Sequence, residues 1–263
     1  MRTLSTAERE RAIGDILAGL FYSEMVTPPS ERTVGSREEI HRLVFGMIAN
    51  RMTRYEDALA LPERLCERLG YHDILECLLD HTPEQIAETI AAPKALHRYP
   101  MRIATSLCAS ARQIESDWKC DIRTMWAEDE CLGRDLVVRL MTLHGVGEKI
   151  SNLIARSLML NFAGVKCWDG IASLRPSPDR HVLRVFNRLG LIDGEDDIRG
   201  LFAAAERCRP FESVACDGAW IIGLSWKCGT SDAICGGNES GEECPLLRRV
   251  CPNPHSQKRR LVL

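Results

Sequence analysis

Four cysteines fall in one short stretch near the end of the 263-residue chain: Cys228, Cys235, Cys244 and Cys251, at intervals of six, eight and six residues. Thiolates in that number, with no paired histidine, suit an iron-sulfur cluster or a zinc ion. Zinc sites more often show close Cys-x2-Cys knuckles, which this stretch lacks. A 4Fe-4S cluster is therefore the expectation and zinc the alternative. Well before the cysteines, Leu143-His144-Gly145-Val146-Gly147-Glu148-Lys149 separates two apolar runs of helical period. Gly145 and Gly147 permit a positive φ and close backbone approach, leaving the first amides of the second helix pointing outward. Such a turn is an anion site, and the anion suited to it is a nucleic-acid phosphate. An ordinary pair of helices with a glycine cap reads the same residues without a ligand.

Lys149 begins the second of these helices, where a cation opposes the helix dipole, so a structural role is poorly served and a nucleophilic one comes into view. Thirty residues later Asp179 precedes a helix whose apolar face is Val182, Val185, Phe186 and Leu189. Asp179 reads as an N-cap. A carboxylate fixed at a helix start also suits stabilising positive charge that develops on a sugar ring.

The elements that must position these groups are helices. Apolar residues recur at spacings of three and four, and a period of two is never sustained, so the fold class is all-α. Ser5 with Glu8, Ser36 with Glu39 and Thr82 with Gln85 have capping-box spacing. Further helices are expected at about 55–69, 71–79, 100–115 and 134–143. Thr27-Pro28-Pro29-Ser30 is a linker, and 162–178 and 229–243 are loops.

Taken in order, the Leu143–Lys149 turn, the run Asp179-Arg180-His181-Val182-Leu183-Arg184-Val185-Phe186-Asn187-Arg188-Leu189-Gly190 and the terminal cysteines resemble the helix-hairpin-helix DNA glycosylases of the endonuclease III type. The resemblance covers roughly the C-terminal half. It implies two helical lobes: a six-helix core at 36–162 that holds the hairpin at about 134–161, and a second lobe of 1–35 with 163–263 that carries the cluster loop. The active site would lie in the cleft between them. It also implies that Lys149 is a Schiff-base lysine and Asp179 the essential aspartate. The implied activity is a base-excision glycosylase with β-elimination lyase activity, acting on an oxidised pyrimidine in duplex DNA. Alternatives are a monofunctional mismatch or uracil glycosylase and a non-catalytic hairpin protein. DNA contacts are expected from His144, Gly145, Val146, Gly147 and Arg51, and the chain is expected to be a monomer.

The chain departs from the family pattern in several places. His144 stands where a proline is usual, and about a dozen extra residues separate Lys149 from Asp179. The middle cysteine interval is eight residues where the family has two. The glutamine that fills the gap left by a flipped base would fall near Asn50 or Arg51, and neither is glutamine.

Composition is compatible with this reading without favouring it. A formal charge of -3 provides no global field to draw the chain onto DNA, so affinity must come from local basic surface. Arg180, Arg184, Arg188, Arg248, Arg249, Lys258, Arg259 and Arg260 concentrate such residues in the last third. Twelve cysteines and no signal-like or membrane-length apolar run lead to the expectation of reduced thiols in a cytoplasmic, nucleoid-associated protein. Cys66, Cys77 and Cys108 sit in helical apolar patterns and read as core.

Overall fold

The structure is a computed structural model that describes residues 4–127, 131–165, 170–247 and 249–252. Arg248, Lys258, Arg259 and Arg260 of the basic group lie outside the described residues. Among the described residues no strand forms, and the one extended pairing is an isolated bridge between Thr33 and Phe162. The chain divides into two compact units, Thr27–Gly170 and a terminal unit of Met1–Val26 with Ile171–Leu263.

The central unit holds α2 (Arg37–Ala49), α3 (Tyr55–Leu69), α4 (Ile74–Leu79), α5 (Pro83–Ala91), α6 (Pro100–Trp118), α7 (Gly133–Met141) and α8 (Glu148–Asn161). Among the described residues that is seven α-helices, the short α4 among them, where six were expected. Two of its helices start on complete capping boxes: Ser36 with Glu39 for α2 and Thr82 with Gln85 for α5. Pro83 and Pro100 stand at the first turns of α5 and α6, where a missing N–H costs nothing. Buried His41, with Nδ1 3.1 Å from Asp73 Oδ1, links α2 to the cap of α4, because the same Asp73 oxygen accepts from Leu75 N–H at 3.0 Å. Cys66, Cys77 and Cys108 are all buried. Residues 27–35 and 163–165 fall in this unit rather than the terminal one. The Thr33–Phe162 bridge and the bond from Ala163 N–H to Thr33 C=O at 2.7 Å tie them to each other.

The terminal unit holds α1 (Thr6–Glu24), α9 (Arg180–Arg188), α10 (Ile198–Cys208) and α11 (Gly218–Ser225), with a 3-10 turn at Ser213–Asp217. Ser5 and Glu8 form the capping box of α1. Its Ile13 and Leu17, with Val182, Val185 and Phe186 of α9, Leu201 of α10 and Ile222 of α11, make one core. Each such side chain removed from water contributes roughly 1.5–3 kcal/mol. Cys208 and Cys216 belong to that core. The cysteine-rich segment packs on the same core, which places it against α9.

Candidate nucleic-acid interface and active site

Leu136, Val137 and Leu140 of α7 are buried, as are Ile150, Leu153, Ile154 and Leu158 of α8, so the two helices turn their apolar faces inward and reverse between Thr142 and Gly147. Gly145 makes the reversal with φ +74, whereas Gly147 is extended at φ -99, ψ -179, so only the first glycine uses the left-handed region. Val146 is buried, and its N–H donates to Leu143 C=O at 3.0 Å. Of the four hairpin residues expected to touch DNA, Val146 thus secures the turn with both its side chain and its amide. Gly147 caps α8 without a side chain, and its carbonyl accepts from both the amide and the hydroxyl of Ser151. The amides of Gly145 and Gly147 have no protein partner among the described residues. His144 is exposed at the tip, and Lys149 is half-buried in the first turn of α8.

Arg51 is brought to the same turn from the connection between α2 and α3. A β-carbon on Gly145 would stand 2.5 Å from Arg51 Nη2 and 3.1 Å from Ser106 Oγ, so the guanidinium lies against bare glycine backbone. Arg51 Nη2 is buried without a hydrogen-bond partner. Burial, and then the like charge of Arg102, push the Arg51 pKa down. A desolvated cation beside a second cation is unfavourable on its own and is relieved by an approaching anion.

The connection itself is clamped. His97, almost fully buried, accepts from Tyr99 N–H at Nδ1 (3.0 Å), which leaves Nε2 to donate to Arg51 C=O at 2.9 Å. Burial, the largest influence, lowers the His97 pKa and so keeps the ring neutral, as this pattern requires. Beyond the clamp, Met52 sits at φ +55 and is 71% exposed. Neither Met52 nor His97 stood out in the sequence. The available signal was one apolar residue inside the polar run Asn50-Arg51-Met52-Thr53-Arg54.

In the terminal unit Asp179 is the N-cap of α9, its Oδ1 accepting from His181 N–H at 2.8 Å. The strand of chain leading to it is fastened by buried Asp217, whose Oδ1 accepts from Ser177 N–H at 2.8 Å, and by Ser213 Oγ donating to Leu174 C=O at 3.2 Å. The Asp179 carboxylate is thus held by its cap bond on a backbone that is fastened at Ser177 and Leu174.

The four cysteines line one pocket together with Arg188, Ala233, Leu246 and Leu247. Cys228, Cys235 and Cys244 are buried and Cys251 is partly so. Burial, with the other three cysteines adding to it, pushes the Cys228 thiol up to about 12, and burial first raises Cys244 to about 11. Among the described residues no group of three or more His, Cys, Asp or Glu side chains could hold a metal ion as arranged. The long middle interval is absorbed locally. Asn238 N–H donates to Glu242 C=O at 2.9 Å, and Cys244 N–H donates to Cys235 C=O at 2.9 Å, so residues 236–243 close off as a turn. Cys235 and Cys244 are thereby brought together as if the interval were short. Gly229, at φ +80, lies where a β-carbon would meet Arg184 Cβ at 2.8 Å, which seats the cysteine segment on α9.

Neither a family model nor a curated protein sequence matches the chain. Solved structures do. An endonuclease III trapped as a covalent intermediate with DNA, in an estranged-adenine complex, is 17% identical and superposes with a TM-score of 0.64 over 95% of this chain and 97% of that one. The chain has the helix-hairpin-helix DNA glycosylase fold. A non-covalent endonuclease III–DNA complex shares this glycosylase fold at 17% identity and TM-score 0.63, over 95% and 96% of the two chains. A thermostable thymine-DNA glycosylase does so at 14% and 0.59, over 89% and 94%. The likeness spans both units, well beyond the half of the chain that carries the motifs. No helix of the described residues is long and apolar enough to cross a membrane.

Proposed function

We propose that this protein is a base-excision DNA glycosylase with an associated β-elimination lyase activity, acting on an oxidised pyrimidine in duplex DNA. The observation that carries the reading is Lys149 in the first turn of α8, directly after the glycine turn, in a fold shared with an endonuclease III that was trapped in covalent linkage with DNA. The turn holds the duplex through phosphate at the amides of Gly145 and Gly147, with His144 at the tip and the charge of Arg51 behind. The damaged nucleotide leaves the stack. Lys149 Nζ attacks the anomeric carbon, forming a C–N bond as the bond to the base breaks and the base departs with the electron pair. Asp179, ionised and held by its cap bond, opposes the positive charge on the sugar. The nitrogen loses a proton as the ring opens to an imine, and loss of the C2′ proton then expels the 3′ phosphate and nicks the strand.

Cys228, Cys235, Cys244 and Cys251 suit a 4Fe-4S cluster: four thiols around one apolar pocket, with the long interval folded out of the way. When bound, the cluster supplies a covalent cross-link of the terminal unit. Arg249 is the described basic residue of that segment and adds to the DNA surface.

A panel of duplexes carrying single lesions, resolved on denaturing gels, tests the activity. Borohydride with abasic duplex should trap the protein covalently, and Lys149→Ala should abolish trapping while weakening DNA binding by only about 1 kcal/mol. Excision without nicking or trapping would leave a monofunctional glycosylase. Undiminished trapping by the alanine variant would remove Lys149 from the chemistry.

A further inference from the structure

Cys66 and Cys77 stand on either side of the corner between α3 and α4. Cys66 C=O accepts from Gly70 N–H at 2.8 Å and from Tyr71 N–H at 3.0 Å, so α3 ends one turn beyond it, where Gly70 takes φ +77. Asp73 caps α4, and its C=O accepts from Cys77 N–H at 3.1 Å, which sets Cys77 one turn into that helix. The two helices pack on each other, and the cysteines between them are 4% and 0% exposed. Their thiols hydrogen-bond to each other. Two small apolar side chains filling a corner would account for the burial, but not for the charge beside them. Arg42 of α2 reaches this corner, its Nη2 donating to His72 C=O at 3.3 Å, and its charge acts on Cys66. Arg42 Nε is buried without a hydrogen-bond partner. Such a donor is unfavourable, and a thiolate close by relieves it. The bond from Cys77 first, and then the charge of Arg42, lower the Cys66 pKa although burial opposes them, while Cys77 is pushed up as the donor of the pair. Other buried thiols go the opposite way: burial raises Cys108 to about 11 and Cys208 to about 12.

We propose that Cys66 is a peroxide-reactive thiol and that Cys77 resolves its oxidised form as a disulfide. The Cys66 sulfur attacks one oxygen of hydrogen peroxide, an S–O bond forming as the O–O bond breaks, and the departing hydroxide takes the Cys66 proton and leaves as water. Cys66 is thereby oxidised to a sulfenic acid and the peroxide is reduced. The Cys77 sulfur then attacks the Cys66 sulfur; the S–S bond forms as the S–O bond breaks, and the second hydroxide leaves as water with the Cys77 proton. Two thiols and one hydrogen peroxide give one disulfide and two waters. The near-complete burial of Cys66 admits an oxidant of this size and excludes a bulky disulfide such as oxidised glutathione. The product ties the end of α3 to α4 across residues 67–76, in the unit that carries the hairpin.

Hydrogen peroxide added to the purified full chain, followed by alkylation and non-reducing peptide mapping, tests the assignment. Cys66 and Cys77 should be found linked, and dithiothreitol should reverse the link. Cys66 should be oxidised at least threefold faster than Cys120, although Cys120 is the more exposed thiol. Cys77→Ser keeps a donor beside Cys66 and removes the resolving thiol, so Cys66 should stop at the sulfenic acid and appear as a dimedone adduct once the chain is unfolded. The mapping of the parent protein needs no substitution, so it decides the matter even where that variant fails to fold. Cys66 linked instead to Cys108 or to a cysteine of the 228–251 segment would overturn the proposal. So would Cys66 that is still reduced when Cys120 has been oxidised, or a folded Cys77→Ser protein that yields no Cys66 adduct.

Discussion

At the scale of single residues the site depends on where a polar group is aimed. Asp179 spends one oxygen on the N–H of His181 and is approached by a segment that Asp217 anchors, so the carboxylate is preset. Asparagine can accept the same bond, and Asp179→Asn should cost within roughly 1 kcal/mol of stability. If charge opposes the developing cation, that change should cut single-turnover excision by on the order of a hundredfold. Binding to lesion DNA should hold or tighten, because a negative charge near phosphates is gone. Parent-like turnover by the asparagine variant would return Asp179 to a helix cap. The capping role could be read from Asp179 standing just before an apolar helical stripe. The anchoring by Asp217, 38 positions away, could not, because nothing local marks a buried carboxylate's partner.

At the scale of elements, the α7–α8 turn and the α2–α3 connection form one structural feature. A β-carbon at Gly145 would have to push the Arg51 guanidinium aside, and φ +74 disfavours one regardless of space. Gly145→Ala should therefore destabilise the protein by about 1–2 kcal/mol, visible in chemical denaturation. It should also weaken binding to undamaged duplex, since the turn's amides and the arginine move together. Adding Arg51→Ala should recover part of the stability by removing the clash, and should not recover binding. An unchanged denaturation midpoint for Gly145→Ala would mean that the turn is not held as described. The helices flanking these connections follow from apolar spacing, and α2 also from its capping box. The left-handed Met52 and the inward Arg51 do not, because each is decided by His97 and Gly145, which are distant in sequence.

At the scale of the whole molecule, a net charge of -3 provides no global field for DNA, so the proposed binding rests on local basic surface, of which exposed Arg54, Arg98 and Arg102 are candidates. The cysteine segment stabilises the unit that carries Asp179. Arg9 of α1 donates to Val250 C=O at 3.0 Å and to Leu189 C=O at 2.5 Å, joining that segment to the end of α9. Protein purified without oxygen should be yellow-brown, and Cys244→Ser should bleach it. Losing a cross-link worth ~2 kcal/mol should lower the melting temperature by about 4–8 °C. Excision should fall with it, through the looser α9. Colourless parent protein with stoichiometric zinc would replace the iron cluster by a single ion and leave the helical fold intact.

By itself the sequence determined the all-helical class, the starts of α1, α2 and α5, the glycine turn before Lys149, the cap at Asp179 and the set of four cysteines. Apart from the cysteines, which are legible from their type and number alone, these are properties of residues within a turn or two of one another, where periodicity and capping chemistry act directly. Tertiary structure decided the rest. It drew residues 27–35 and 163–165 together in the central unit, closed residues 236–243 into a turn so that Cys235 meets Cys244, and turned Arg51 inward so that Met52 projects. Each of these outcomes selects one backbone path among several of similar local energy. The selection is made by contacts between residues far apart in the chain, which local sequence does not encode.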